Sequence, residues 1–388
     1  MRTLLALCAA SFLTAATNAE IERGFDHFYN LEFDQSVTLF SRLVKASPES
    51  ADLHNHLAQA FLYRELLRAG ALETELVTGG NAFLRGEKMN PTAEEQRAFD
   101  DAIAAALRIT ARTLATTPDD KEALYAQGVA YGLRANYNFL VRKAWLDSLR
   151  DATACRKLHN RVTELDPKMI DARMTQGVHD YVVGSLSWSY RFLGFLVGFR
   201  GDKAQGIRTV EEVFRHGDRN RADAGILLAT VYRRERRAAD AVPVLEWLIA
   251  RYPRNYLFHF ELAQMHSDLG NKDKALAAVA AVERLKAAGT PGYDRLAIEK
   301  IIYYRATIQF WYGDLDEALD GFERVAVRAR DLDPNTGVTA LMRVGQVQDL
   351  KGQRPKAISA YRKAIAFAPG SYRAKESEEY LRRPFRRT

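Results

Sequence analysis

Eight histidines, two cysteines and 49 carboxylates are the side chains in this 388-residue chain that could hold a metal ion or move a proton. Their spacing points away from both tasks. His54 and His56 are two residues apart, which on a helix turns them about 200° from each other. His259 and His266 fall on one face but stand about 10 Å apart along the axis. A helical pair shares one ion at a spacing of about four residues, so hydrogen-bonded core histidines are expected here. Asp331 and Asp333 precede Pro334 and read as a turn before a helix, not as paired carboxylates for acid–base work. The chain contains no GxSxG elbow, no phosphate-cradling loop ending in GKS or GKT, and no HExxH. We therefore expect no catalytic residues, no metal site and no cofactor.

The elements that would carry these side chains are helices. Val231, Val242, Leu245, Leu248 and Ile249 recur at helical spacing, as do Leu341, Val344, Ile358, Tyr361 and Ile365. No stretch alternates with period two for long enough to argue a sheet. With 47% apolar residues the chain can build a core, which excludes disorder, and 24 glycines and 11 prolines exclude a low-complexity chain.

From Thr339 to Pro369 the small, aromatic and turn residues fall in a fixed order. Gly345, Gly352, Ala357, Tyr361, Ala364 and Pro369 follow at intervals of 7, 5, 4, 3 and 5 residues. Ala306, Gly313, Ala318 and Phe322 repeat the order, as do Ala263, Gly270 and Ala275, and before them Ala229, Tyr232, Ala241 and Pro253. This register resembles the tetratricopeptide repeat, a family of helix pairs with a period near 34 residues. Gly270, Gly313 and Gly352 are 43 and 39 residues apart. The extra residues fit the AAGTPGYDR and RDLDPNTGV stretches, whose composition suits loops. Towards the N-terminus the pattern loosens: Gly24, Phe40 and Pro48; Ala58 and Phe61, then Ala105 and Pro118; Gly128, Tyr131 and Pro167; then Gly177, Gly201 and Gly206. Between Gly128 and Pro167 the helices are lengthened or an extra one is inserted. The expected fold is all-α, a right-handed superhelical solenoid of antiparallel helix pairs over residues 20–388. Irregular, expanded repeats fill 20–217, regular ones 218–370, and a capping helix with a basic tail ends the chain at 371–388.

The resemblance implies a groove along the inner face of each first helix. The family's groove positions, carried onto this sequence, are Arg233, Phe260, Gln264, Tyr303, Thr307, Phe310, Met342 and Gln346. The lysine and asparagine set by which chaperone-binding members clamp a C-terminal carboxylate is missing, so a different protein or peptide partner is expected. Residues 182–207 stand apart: the first 18 are mostly apolar, Gly194 and Gly198 have GxxxG spacing, and Arg191 interrupts the run. They read as a packed helical hairpin, or as an exposed apolar lip formed by Trp188, Phe192, Phe195 and Phe199, and a membrane span fits least. The block is similar to one in tetratricopeptide proteins of the eukaryotic inclusion-body-clearance type, which implies no activity for this chain.

Residues 1–19 combine Arg2, an apolar run from Leu4 to Leu13 and small residues ending at Ala19, the layout of a cleaved secretory signal. Cys8 lies inside the apolar run, so removal would leave Cys155 and no internal disulfide. The whole chain carries a net charge of +7, with arginine clusters at 233–237 and 382–387. That balance favours acidic partners or an anionic membrane surface, and export makes nucleic acid an unexpected partner. The sequence thus points to an exported, periplasmic or extracellular, non-enzymatic scaffold that binds a protein or peptide along its groove. The alternative is a carrier of a small apolar or lipidic ligand that uses the 182–199 insert.

Overall fold

A computed structural model describes residues 18–72, 88–186 and 200–387, and every regular element among them is a helix. The described residues form two compact units, one of residues 18–65, 88–186 and 200–228, the other of residues 66–72 and 229–387. The divisions fall inside two helices, α3 and α9. The apolar-lip residues Trp188, Phe192, Phe195 and Phe199, and most of the expected signal segment 1–19, lie outside the described residues. No helix among the described residues is long and apolar enough to cross a membrane.

The first unit opens with a helix pair, α1 (residues 18–29) and α2 (Phe33–Ala46). Leu31 makes the turn between them with φ 63°. Close approach follows from a missing side chain: a Cβ on Gly24 would stand 2.5 Å from the Phe40 ring. The next helices are long: α3 (Ala51–Arg68), α4 (Ala93–Thr116), α5 (Lys121–Tyr137) and α6 (Trp145–Leu165). Thr92 and Glu95 start α4 with a reciprocal capping box, and Asp120 caps α5 by accepting from the Ala123 N–H. A single π turn, Asn138–Arg142, extends α5 before Lys143 reverses the chain at φ 55°. The expansion between Gly128 and Pro167 is therefore lengthening, with no further helix inserted. Helices α7 (Arg173–Gly184) and α8 (Lys203–His216) pack on each other where Gly206 meets the Tyr181 backbone. The unit ends in the first part of α9 (Arg221–Arg234).

The second unit is more regular. The rest of α9 is followed by α10 (Ala238–Arg251), then α11 (Tyr256–Asp268) and α12 (Lys272–Ala287). Helices α13 (Ile298–Tyr312) and α14 (Leu315–Val327), then α15 (Pro334–Leu350) and α16 (Arg354–Phe367), complete the pairs. A polar helix, α17 (Tyr372–Arg382), covers the last pair and buries little more than Ala374 and Ser377. Within pairs, the turn residue is left-handed: Gly270, Gly313 and Gly352 have φ 79°, 90° and 73°. Arg236 takes the same place between α9 and α10 at φ 58°, a turn with no glycine to announce it. First helices also touch the next first helix, α11 with α13 and α13 with α15. Each helix pair is too thin to bury both its faces alone, so stability accrues from stacking on neighbours. The last pair shows the pattern: Met342, Ala357, Tyr361 and Ala364 form one buried cluster, with Tyr380 and Leu381 of α17 packed on it.

Candidate functional site

The histidines and carboxylates singled out for chemistry are absorbed by the fold. His54 bonds the Pro48 carbonyl at 3.0 Å. His56 lies 4.6 Å from the Phe25 ring, and burial, reinforced by Arg219, pushes its pKa down to about 4. His259 is edge-on to Tyr293, and burial lowers it and His266 alike. Asp331 pairs with Arg328, whereas Asp333 caps α15 through the Thr336 N–H at 2.9 Å. No group of histidine, cysteine and carboxylate side chains among the described residues could hold a metal ion.

A cysteine–histidine pair went unnoticed in the sequence. Cys155 Sγ lies 4.0 Å from His159 Nδ1 on α6. The pair is inert as a nucleophile: burial pushes the thiol up to about 11 and the imidazole down to about 4. His159 bonds Thr175 at 2.7 Å, reaches the Tyr125 carbonyl at 3.2 Å and fills the space left by Gly128. Its role is packing.

In the first unit, polar side chains gather along the first helices of the pairs. Tyr29 of α1 donates to Asp223 of α9 at 3.1 Å. Burial raises Asp223 to about 6, against the Tyr29 hydrogen bond, which lowers it. Tyr63 faces the same carboxylate and is pushed well above the usual phenol range, mainly by burial. Asn220 donates to the Tyr125 hydroxyl at 2.9 Å, and the Arg219 guanidinium sits 5.1 Å over the Tyr125 ring. These groups satisfy one another.

The residues carried over as groove positions are also largely interior. Phe260, Gln264, Tyr303, Thr307, Phe310, Met342 and Gln346 are buried. The Arg233 side chain is 9% exposed and donates to Gln264 at 3.0 Å, beside Glu261 and Asp268. The physical reason lies in contacts between neighbouring first helices and with the second helix of the same pair. Phe260 stacks on Tyr304 of the following pair at 4.0 Å, and Tyr303 and Phe310 meet Phe322 of α14 edge-on. Their area is covered by other parts of the chain, which for Phe310 include residues 383–387.

Next to these positions, an aromatic side chain reaches solvent at the C-terminal end of α13. Trp311 is 50% exposed and lies edge-on to Phe310 at 5.1 Å. The Arg343 guanidinium of α15 sits over both rings, at 4.9 and 5.0 Å, and donates to Gln346 at 2.8 Å. Gln346 bonds the Tyr380 hydroxyl. One turn further along α15, the Asp349 carboxylate is 1% exposed and held by Arg354 at 3.0 Å and by the Tyr361 hydroxyl at 2.9 Å. Residues 383–387 run across this surface. The Phe385 N–H donates to Asp349 at 2.8 Å, its ring lies 6.0 Å from Phe310 and 5.4 Å from Tyr380, and Arg387 sits 5.1 Å over the Phe310 ring. Arg354 fixes the approach by donating to the Tyr380 and Leu381 carbonyls, both at 2.8 Å. Sequence reasoning named Phe310 and Gln346 but missed Trp311, Arg343, Asp349 and Phe385. The available signal was a large aromatic one residue past a packing aromatic at the end of a helix.

A second feature of this unit is an open cavity of about 500 Å³ lined by Arg68, Gly70, Tyr256, Arg295, Lys300 and Asp333, among others. Lys300 and Asp333 are paired at 2.8 Å on its wall.

The tetratricopeptide-repeat family model matches residues 22–74 and 226–290. No curated protein matches the chain. Yeast Tom70 is similar at 11% identity over 95% of both chains, with a TM-score of 0.41. The human IFIT1 dimer solved with m7Gppp-AAAA is similar at 14% identity over 94% of this chain and 84% of that one, with a TM-score of 0.46. YrrB, described as a TPR protein with an unusual peptide-binding site, is similar at 16% identity over 70% of this chain and 97% of its own, with a TM-score of 0.31. The matched segments coincide with helix pairs, and the left-handed turns and the Gly345–Tyr361 packing supply the same register independently. Residues 22–74 and 226–290 match the tetratricopeptide repeat, and the fold around them is all-α, built of helix pairs.

Proposed function

We propose that the chain is a non-enzymatic scaffold that binds an extended segment of a protein partner at the end of α13 and along α15, and that it works outside the cytoplasm. The observation that carries this reading is Trp311. A half-exposed tryptophan beside an arginine that is stacked on a buried phenylalanine is the composition of an interface anchor. Members of the family commonly bind peptides on their first helices, which supports the same side of the fold. The non-enzymatic part is supported by the inert Cys155–His159 pair and by the histidines that burial keeps neutral. The export part rests on the layout of residues 1–19 alone.

Photocrosslinking tests the binding surface. A benzophenone amino acid at position 311 is expected to give discrete protein adducts, while the same group at the exposed Val327 gives none. A protein that yields no adducts at position 311, yet purifies with lipid, would favour the carrier reading instead. Intact-mass analysis of chain recovered from its source cell tests export: loss of residues 1–19 is expected.

A further inference from the structure

The surface around Asp349 is covered by a short stretch of chain that makes few contacts with it. Its floor is held without that stretch: Asp349 is bonded by Arg354 and by the Tyr361 hydroxyl, neither of which belongs to residues 383–387. What lies on that floor is different in kind. Arg383 leaves α17 in an extended conformation, φ −134° and ψ 125°, and Arg383, Pro384, Arg386 and Arg387 are exposed. Only Phe385 is half-buried. The segment is held by one aromatic ring, one N–H donated to a carboxylate, and one guanidinium over a ring. None of these contacts needs to come from this stretch of chain. Any extended segment with an aromatic residue and an arginine two positions later makes the same three.

We propose that the surface formed by Phe310, Asp349 and Tyr380 is a binding site for an arginine-flanked aromatic segment of a partner protein, and that residues 383–387 are its resident occupant, displaced when the partner binds. The proposal deepens the scaffold reading and rests on it, since it names the chemistry of the segment that the α13–α15 side takes. Tethering explains why the partner must compete: a segment joined by a short linker acts at an effective concentration on the order of 1 mM. The apparent affinity for a free peptide is reduced by the fraction of time the site is open.

The probe is a fluorophore-labelled peptide, Arg-Arg-Pro-Phe-Arg-Arg-Thr, titrated by anisotropy against the full chain and against Phe385→Ala. The variant is expected to bind it at least about tenfold more tightly than the unaltered chain. A peptide with alanine in place of phenylalanine is expected to bind neither. Circular dichroism checks that Phe385→Ala is folded, and Arg387→Ala, an exposed site, supplies a second opening variant with a smaller gain. Equal affinity for the unaltered chain and both variants, or no binding to any of them, overturns the proposal. Protein adducts at position 311 would then still support the scaffold reading. A concentration-dependent dimer of the unaltered chain that Phe385→Ala abolishes also overturns it, because the occupant would then come from a second copy.

Discussion

Tyr29 and Asp223 share a 3.1 Å hydrogen bond across 194 residues, joining α1 to α9 within the first unit. The contact ties the first helix of the first pair to the first helix of the fifth. It also places a carboxylate in an interior that disfavours charge. Asp223 is raised to about 6 chiefly by burial, with the Asp171 charge adding to the rise and the Tyr29 hydroxyl opposing it.

That shift sets a dependence of stability on pH. An unfolded aspartate titrates near 3.8, and this one at about 6 when folded. Between those values the folded state holds the extra proton, so this group's contribution is most favourable in acid and declines as pH rises through 6. The full gap corresponds to about 3 kcal/mol. Asp223→Asn keeps an acceptor for Tyr29 and removes the charge, so it should stabilise the chain by about 1–2 kcal/mol near pH 7.5 and by almost nothing near pH 4. Urea titrations at the two pH values measure this, and equal effects at both would contradict it.

Gly345 and Tyr361 give the second prediction. A Cβ on Gly345 would stand 2.4 Å from the Tyr361 ring, which is fully buried and tied through its hydroxyl to Asp349. The ring has nowhere to go. Gly345→Ala should cost about 1–3 kcal/mol by overpacking, and adding Tyr361→Leu should recover part of that loss in a double-mutant cycle. Strictly additive losses would show that α15 and α16 do not meet there.

The same pair shows what could be read from the sequence. Gly345 and Tyr361 sit 16 residues apart in a fixed register, and that register located the regular helix pairs and the turns at Gly270, Gly313 and Gly352, while the polar composition of residues 371–388 pointed to the capping helix. It located Phe260, Tyr303 and Phe310 on the first helices too, but not their burial. Burial depends on which neighbour stacks on which ring, as Tyr304 does on Phe260, and helical spacing carries no such information. The Tyr29–Asp223 bond and the Phe385–Asp349 bond were illegible for a related reason: each is set by how many turns of helix intervene. Trp311 was missed because an exposed aromatic and a packed one look alike in a list of apolar residues.

Arg236 provides a test in the stabilising direction. It makes the α9–α10 turn at φ 58°, where its three counterparts in the following pairs are glycine, and it is exposed. The left-handed conformation costs a residue with a Cβ about 1–2 kcal/mol. Glycine loses more chain entropy on folding, which takes back part of that gain. Arg236→Gly should therefore raise stability by about 0.5–1 kcal/mol, seen as a higher melting temperature. The same change at Leu31, also left-handed at φ 63° but partly buried, should gain less because packing is lost with the side chain. A destabilised Arg236→Gly would mean that the arginine side chain, not the backbone, dominates the turn.

Lys300 and Asp333 combine burial, charge and capping in one place. The lysine side chain is 8% exposed, its ammonium lies 2.8 Å from Asp333 and also bonds the Thr336 hydroxyl, while Asp333 caps α15 through the Thr336 N–H. Burial alone would raise the aspartate; Lys300 and Thr336 outweigh it and hold the carboxyl below the usual range. A depressed carboxyl contributes stability above its unfolded pKa and loses it as pH falls through the folded one. Lys300→Met keeps the volume but strands a buried carboxylate, an imbalance that typically costs about 3–5 kcal/mol. The stranded carboxyl then takes up a proton more readily, so the deficit should shrink as pH is lowered towards about 4. Asp333→Asn in the Lys300→Met background should recover more than it does alone, because it removes the charge that lost its partner. A deficit that stays constant from neutral to acid pH would place its origin in lost packing around the lysine stem, with the ion pair contributing nothing measurable.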